Sequence, residues 1–138
     1  MTPDQIRTIQ STWLRVLPIK TTAAQLFYDK LFELDPALRV LFRNDMTVQG
    51  KKLMQIIDVA VNGLNRLEQV IPVVQELGRR HRSYGVESRH FGLVGIALIW
   101  TLEKGLGADF TQQAREAWTS VYGLMASTMR DAMNMDKG

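Results

Sequence analysis

The sequence predicts an all-α protein in which helices of unequal length pack at steep angles around a pocket. Three observations carry this. Apolar residues recur at spacings of three and four along nearly the whole chain, no stretch alternates with period two for long, and Pro, Gly and capping residues divide the chain into seven helical segments. One of the seven is very short, which does not suit a regular four-helix bundle.

The segment Thr2-Pro3-Asp4-Gln5 supplies a capping hydroxyl, a proline at the first helical position and a glutamine where a capping box needs one. Ile6, Ile9, Trp13, Val16 and Leu17 form the stripe of this first helix until Pro18 stops the pattern. The second carries Ala24, Phe27, Tyr28, Leu31 and Leu34 on one face. Asp35-Pro36 repeats the cap-then-proline signal and opens a short segment through Leu38, Leu41 and Phe42, closed by Arg43-Asn44-Asp45. Thr47 is read as the cap of the fourth, whose stripe is Leu53, Ile57, Ala60, Val61 and Leu64. Met54, Ile56 and Val59 make that helix apolar almost all round, as expected of one covered on several sides. Val70, Val74, Leu77 and His81 define the fifth, ended by Ser83 to Gly85. Ser88 precedes the sixth, with Phe91, Val94, Leu98 and Leu102 on one face and Gly105 and Gly107 at its end. Thr111 caps the last, which turns Ala114, Trp118, Val121, Tyr122, Met125 and Met129 inward, and the tail from Asn134 is expected to fray.

With 138 residues, 46% apolar and 22% charged, the chain reads as one domain over 1–138 with room for one core and a modest pocket. The absence of Cys excludes a disulfide framework, a thiolate metal site, a Cys nucleophile and a C-x-x-C-H covalent haem attachment, and points to a reducing compartment. The amino end has no signal-peptide pattern, and the longest uninterrupted apolar run, Ile96 to Trp100, is far too short to cross a bilayer. The cytoplasm is the expected compartment, without a membrane partner. A net charge of +3 invites a nucleic-acid reading, but the basic residues are scattered apart from Arg79, Arg80 and Arg82, and no stacking platform accompanies them. Lys51 and Lys52 with Arg80 are candidates to meet a small anionic ligand.

Two histidines are the only imidazoles. His81 extends an apolar stripe and fits either a core imidazole bonded to a carbonyl or a metal ligand, and spacing alone favours the first. His90 sits beside a stripe and reads as a surface residue. Nine positions apart and without a carboxylate at ligand spacing, they do not make a zinc site. A haem is the single-histidine alternative, since its iron takes one axial imidazole while the porphyrin needs an apolar slot. Tyr28 fits a core tyrosine, Gln49 a surface glutamine, and Met125, Met129 and Met133 core gap-fillers. No carboxylate pair, phosphate loop or G-x-S-x-G supports hydrolase chemistry.

The order of motifs is what identifies a family. Leu26-Phe27-Tyr28 with Leu31-Phe32, then Asp35-Pro36 and Val40-Leu41-Phe42, then Gln49 with Lys52-Leu53-Met54, then Gly78-Arg79-Arg80-His81, then Leu93-Val94-Gly95, and finally Ala117-Trp118 with Tyr122-Gly123 resemble the globin domain of flavohaemoglobins and their single-domain bacterial relatives. The resemblance implies a globin fold and a non-covalent haem b with His81 as proximal iron ligand. It implies that Phe42 packs on the porphyrin face, that Tyr28 and Gln49 form the polar distal pair, and that Leu53 walls the ligand cavity. Ile57, Val86, Phe91 and Val94 complete the cofactor lining, and Lys52 and Arg80 come within reach of the propionates.

Two departures qualify what the resemblance implies. Phe91 stands where flavohaemoglobins have a tyrosine and Met133 stands near the position of their glutamate, so the proximal network is missing and the Leu77 carbonyl becomes the expected partner of the His81 ring. The flavin and nicotinamide domains are also absent, so redox turnover needs an outside flavin reductase. The expected function is reversible binding of dioxygen and other diatomic ligands, with conversion of nitric oxide to nitrate as an added activity. A haem-based gas sensor or interaction module is the alternative.

Overall fold

The computed structural model describes residues 1–42, 45–83, 87 and 89–135, the side chains of 81–83 and 135 excepted. Among the described residues there is no strand. The α-helices are α1 (Pro3–Val16), α2 (Lys20–Leu34), α3 (Met46–Asn62), α4 (Leu67–Ser83), α5 (His90–Leu106) and α6 (Gln112–Met135), with 3₁₀ turns at Leu17–Ile19, Pro36–Leu41, Leu64–Arg66 and Gly107–Asp109. The very short segment of the sequence reading is the 3₁₀ helix Pro36–Leu41.

Three expected caps form. Thr2 Oγ1 accepts from the Gln5 amide at 3.1 Å while Gln5 Oε1 accepts from the Thr2 amide at 3.0 Å. Asp35 Oδ1 accepts from the Ala37 amide at 3.1 Å, and Thr111 Oγ1 from the Ala114 amide at 3.1 Å. Four details differ from the sequence reading. The cap of α3 is Asp45, whose short carboxylate accepts from the Thr47 amide at 2.7 Å, so Thr47 lies inside the first turn. Leu64 leaves the α3 stripe because the helix stops at Asn62 and Leu64 starts a 3₁₀ turn. Gly105 stays helical, and α5 ends at Gly107, whose φ of 55° a residue with a Cβ adopts only under strain.

The fourth concerns His90, which is buried and not a surface residue. Its Nδ1 accepts from the Glu87 amide at 2.9 Å, and the Glu87 carbonyl accepts from the His90 amide at 3.0 Å. The pair works like a capping box, with an imidazole where Gln or Glu is usual. The expected boundaries at Arg43-Asn44, Gly85 and Ser88 lie outside the described residues.

The main core is the crossing of α1 with α6, where Trp13 and Trp118 sit with ring centroids 6.1 Å apart amid Ile9, Val16, Ala117 and Val121. Both indoles are oriented by hydrogen bonds, Trp118 Nε1 to Thr12 Oγ1 and Trp13 Nε1 to Asp58 Oδ1, each 2.9 Å. The second bond reaches α3. A second cluster, Phe27, Tyr28, Leu31, Leu38 and Ala97, joins α2 to α5. The apolar stretch of α5 exceeds its uninterrupted run, and His90–Asp109 has a mean hydropathy of 1.3, long and apolar enough on composition to span a membrane. Here that character serves packing on α2 and α6.

Two glycines set the positions of α3 and α4. A Cβ on Gly50 would lie 3.0 Å from Ala24 Cβ, so α3 lies hard against α2. A Cβ on Gly78 would lie 2.5 Å from the Met129 carbonyl oxygen and 2.8 Å from Met129 Cα, so α4 meets the backbone of α6. Drawn to different partners, α3 and α4 share at most slight contact among the described residues. Gly78→Ala is expected to destabilise the apoprotein by about 1–3 kcal/mol despite the better helix propensity of Ala, because backbone cannot yield as a side-chain tip can. Urea unfolding measures this, and a neutral or stabilising result would mean that α4 and α6 do not approach so closely.

Candidate functional site between the third and fourth helices

The Ala24–Gly50 contact fixes the register of the first polar feature. Tyr28 lies one turn beyond Ala24 on the same face of α2, and Gln49 precedes Gly50 in the turn that Asp45 caps. Gln49 Nε2 accordingly donates to Tyr28 Oη at 3.3 Å, joining residues 21 positions apart. The phenol acts as acceptor in that bond, so its own hydrogen is not committed to Gln49. Tyr28 is only 6% exposed. Burial pushes its pKa above the ordinary value, and the Gln49 hydrogen bond offsets part of the rise. Phe27, Phe32 and Phe42 surround the phenol ring with centroids at 5.0, 6.0 and 5.3 Å.

Apolar walls adjoin this pair. Phe42, Leu53, Leu93, Val94 and Leu98 all pack on the α2–α5 cluster yet remain half-buried, as do Ile57 of α3 and Leu77 of α4. Met54, on the next face of α3, is fully buried in the main core. The stripe expected from Leu53 and Ile57 packs half-buried at the edge of that same core, and Leu53 also touches the α2–α5 cluster. Large apolar side chains that stay partly uncovered on facing helices are what a flat apolar group would cover.

His81 lies on α4 one turn after Leu77, with its side chain outside the described residues, and Val86 lies outside them altogether. Lys52 and Arg80 are exposed, and Arg80 Nε lies 3.6 Å from Glu76 Oε1. Phe91 is buried in a third cluster with Ala126 and Met133, against α6 and apart from the cluster that holds Phe42 and Val94. Tyr122, expected on the inward face of α6 and part of the Tyr122-Gly123 motif, also holds a backbone group. Its hydroxyl donates to the Phe91 carbonyl at 2.6 Å, and its ring occupies the space a Gly95 side chain would fill. A tyrosine one turn after a buried tryptophan was the available signal.

Burial raises the pKa of Tyr122 as well as Tyr28, with Arg130 opposing the rise at Tyr122. A phenol whose folded pKa exceeds its unfolded value stabilises the fold fully below the unfolded value, and this contribution is lost as pH rises toward the folded one. Stability is therefore expected to fall above about pH 10, where the unfolded phenols ionise. Tyr28→Phe should flatten that fall in urea midpoints taken from about pH 9 to about pH 12. Parallel curves for the two proteins would mean that Tyr28 ionises as freely folded as unfolded.

A family model described as Globin matches residues 25–129, a span running from α2 into α6 that includes Tyr28, Gln49 and His81. Neuroglobin of Danio rerio is 31% identical over 135 residues, covering 88% of this chain and 85% of its own length. Neuroglobin-1 of Oncorhynchus mykiss is 29% identical over 143 residues, covering 94% of this chain and 90% of its own. The crystal structure of a hexacoordinated heme protein from an anhydrobiotic tardigrade shares the fold with a TM-score of 0.89, over 97% of this chain and 96% of that one, at 17% identity. The chain belongs to the globin family.

Proposed function

We propose that the chain holds one haem b, without covalent links, between α3 and α4 with His81 as axial ligand, and that it binds dioxygen and other diatomic gases reversibly. Membership of the globin family implies a haem. The lack of Cys supports non-covalent attachment, and the motif order supports the narrower likeness to bacterial single-domain globins. A cysteine-free chain also suits the cytoplasm.

The residues fit the group: half-buried apolar side chains on α3, α4 and α5 suit a flat macrocycle, and exposed Lys52 and Arg80 suit its carboxylates. A haem held there supplies the iron at which a diatomic gas binds. The observation that carries the reading is the pairing of buried Tyr28 with half-buried Gln49 beside those apolar walls. Burial keeps the phenol protonated, so an O–H and an amide N–H are held ready for a ligand whose outer atom gathers negative charge. His90 Nδ1 accepts from the Glu87 amide, which gives this ring a role at the start of α5.

Conversion of nitric oxide is a further part of this reading. Dioxygen, nitric oxide and one electron balance as nitrate, so sustained conversion takes an outside donor such as a flavin reductase. Nitrate yield from NADH with and without that reductase measures the demand.

His81→Ala is expected to abolish stable haem uptake, while His90→Gln, which keeps an acceptor for the Glu87 amide, should leave the Soret spectrum unchanged. A normal histidine-ligated spectrum from His81→Ala would sink the assignment. Tyr28→Phe should speed dioxygen release from the reduced holoprotein by roughly 5- to 150-fold, the equivalent of a hydrogen bond of about 1–3 kcal/mol. Stopped-flow release decides it, and an unchanged rate would make Tyr28 a plain core tyrosine.

A further inference from the structure

We propose that Arg89 is a strap across the mouth of the haem slot, a positioning residue that pairs with Asp35, holds the segment ending in Phe42 against the start of α5, and slows loss of the bound haem. This rests on the haem reading above.

Asp35 uses its two oxygens differently. Oδ1 caps the 3₁₀ helix Pro36–Leu41 through the Ala37 amide at 3.1 Å, and Oδ2 lies 3.5 Å from Arg89 Nη1, across 54 residues of sequence. The Arg89 Nε, on another edge of the guanidinium, donates to Glu87 Oε2 at 2.7 Å. The Glu87 backbone then exchanges two hydrogen bonds with His90, the first residue of α5. The path is unbroken from the start of the 3₁₀ helix to the start of α5.

Each end of that path carries a wall of the slot. Phe42 follows the 3₁₀ helix, Leu93 and Val94 lie in the first turns of α5, and all three pack on one apolar cluster. Separating the ends would open that cluster at its edge. The Asp35 side chain is 20% exposed and Arg89 63% exposed, so a carboxylate fixed by its capping role faces a guanidinium arriving from the solvent side. Two carboxylates on different edges call for a planar fork, which Arg provides and Lys does not. Because exposed ion pairs add little to fold stability, the strap acts on the rate at which the slot opens.

The test is haem transfer from the holoprotein to an excess of apo-globin scavenger, for the wild type, Arg89→Gln, Asp35→Asn, the double variant and Arg89→Lys. Asn keeps an oxygen for the Ala37 amide, so Asp35→Asn removes the charge and not the cap. At low salt each single variant should lose haem roughly two to five times faster, the double variant no faster than either, and Arg89→Lys at a rate between Arg89→Gln and wild type. At about 1 M salt the wild type should reach the rate of Arg89→Gln, which itself should respond little. The Soret spectrum and the urea midpoint of the apoprotein should stay put, whereas a merely structural role would shift the midpoint. Wild-type rates in both single variants, or effects that multiply in the double variant, overturn the strap alone. A wild-type protein that takes up no haem overturns both the strap and the haem reading.

Discussion

Gly50 and Gly78 hold two neighbouring helices to different partners, which keeps those helices from packing closely on each other. α3 is drawn against Ala24 of α2, and α4 against the backbone of Met129 in α6. A side chain at either glycine would push its helix off its partner, and a packed interior does not yield easily at such close crossings. The tryptophan pair of α1 and α6 supplies the fixed reference for both, since Trp13 also reaches Asp58 of α3.

Half-buried Phe42, Leu53, Ile57, Leu77 and Val94 leave apolar surface that the protein alone does not cover. At roughly 25 cal/mol per Å² of apolar surface, an occupant that covers it stabilises the fold as well as itself. Binding and folding are then linked, and the apoprotein must be the less stable form. In the haem site proposed above, the same linkage would make its edge important, because an occupant leaves only as fast as the walls part. His90 organises the start of α5 through its bond from the Glu87 amide.

Local chemistry in this chain was legible. Thr2, Asp35 and Thr111 announced helix starts because a capping oxygen acts within three residues, and Gly107 announced an end because only glycine adopts its conformation easily. The reading failed where the partner is distant or reversed. His90 looked superficial because periodicity assigns faces without detecting a side chain that turns back to its own backbone. Leu53 and Met54 looked alike because both are apolar, although Met54 is buried within the core and Leu53 packs half-buried at its edge. Tyr28 and Gln49 each had an ordinary explanation alone, and their pairing across 21 residues depends on where Gly50 lets two helices cross. The motif order singled out both residues, which periodicity alone had left as a core tyrosine and a surface glutamine.

The region below His81 bears on which chemistry the protein is suited to. Phe91, Ala126 and Met133 form an apolar cluster in the place where the flavohaemoglobin resemblance calls for a tyrosine and a glutamate. The nearby phenol, Tyr122, donates to the Phe91 carbonyl and is held neutral by burial, so it brings no charge toward an imidazole. An imidazole whose second N–H meets a backbone carbonyl is less electron-rich than one backed by a carboxylate. Under the function proposed above, an imidazole at position 81 backed only by a carbonyl would donate weakly. The Tyr28 and Gln49 donors would act on a ligand from the other side, a combination that would favour reversible binding over catalysis.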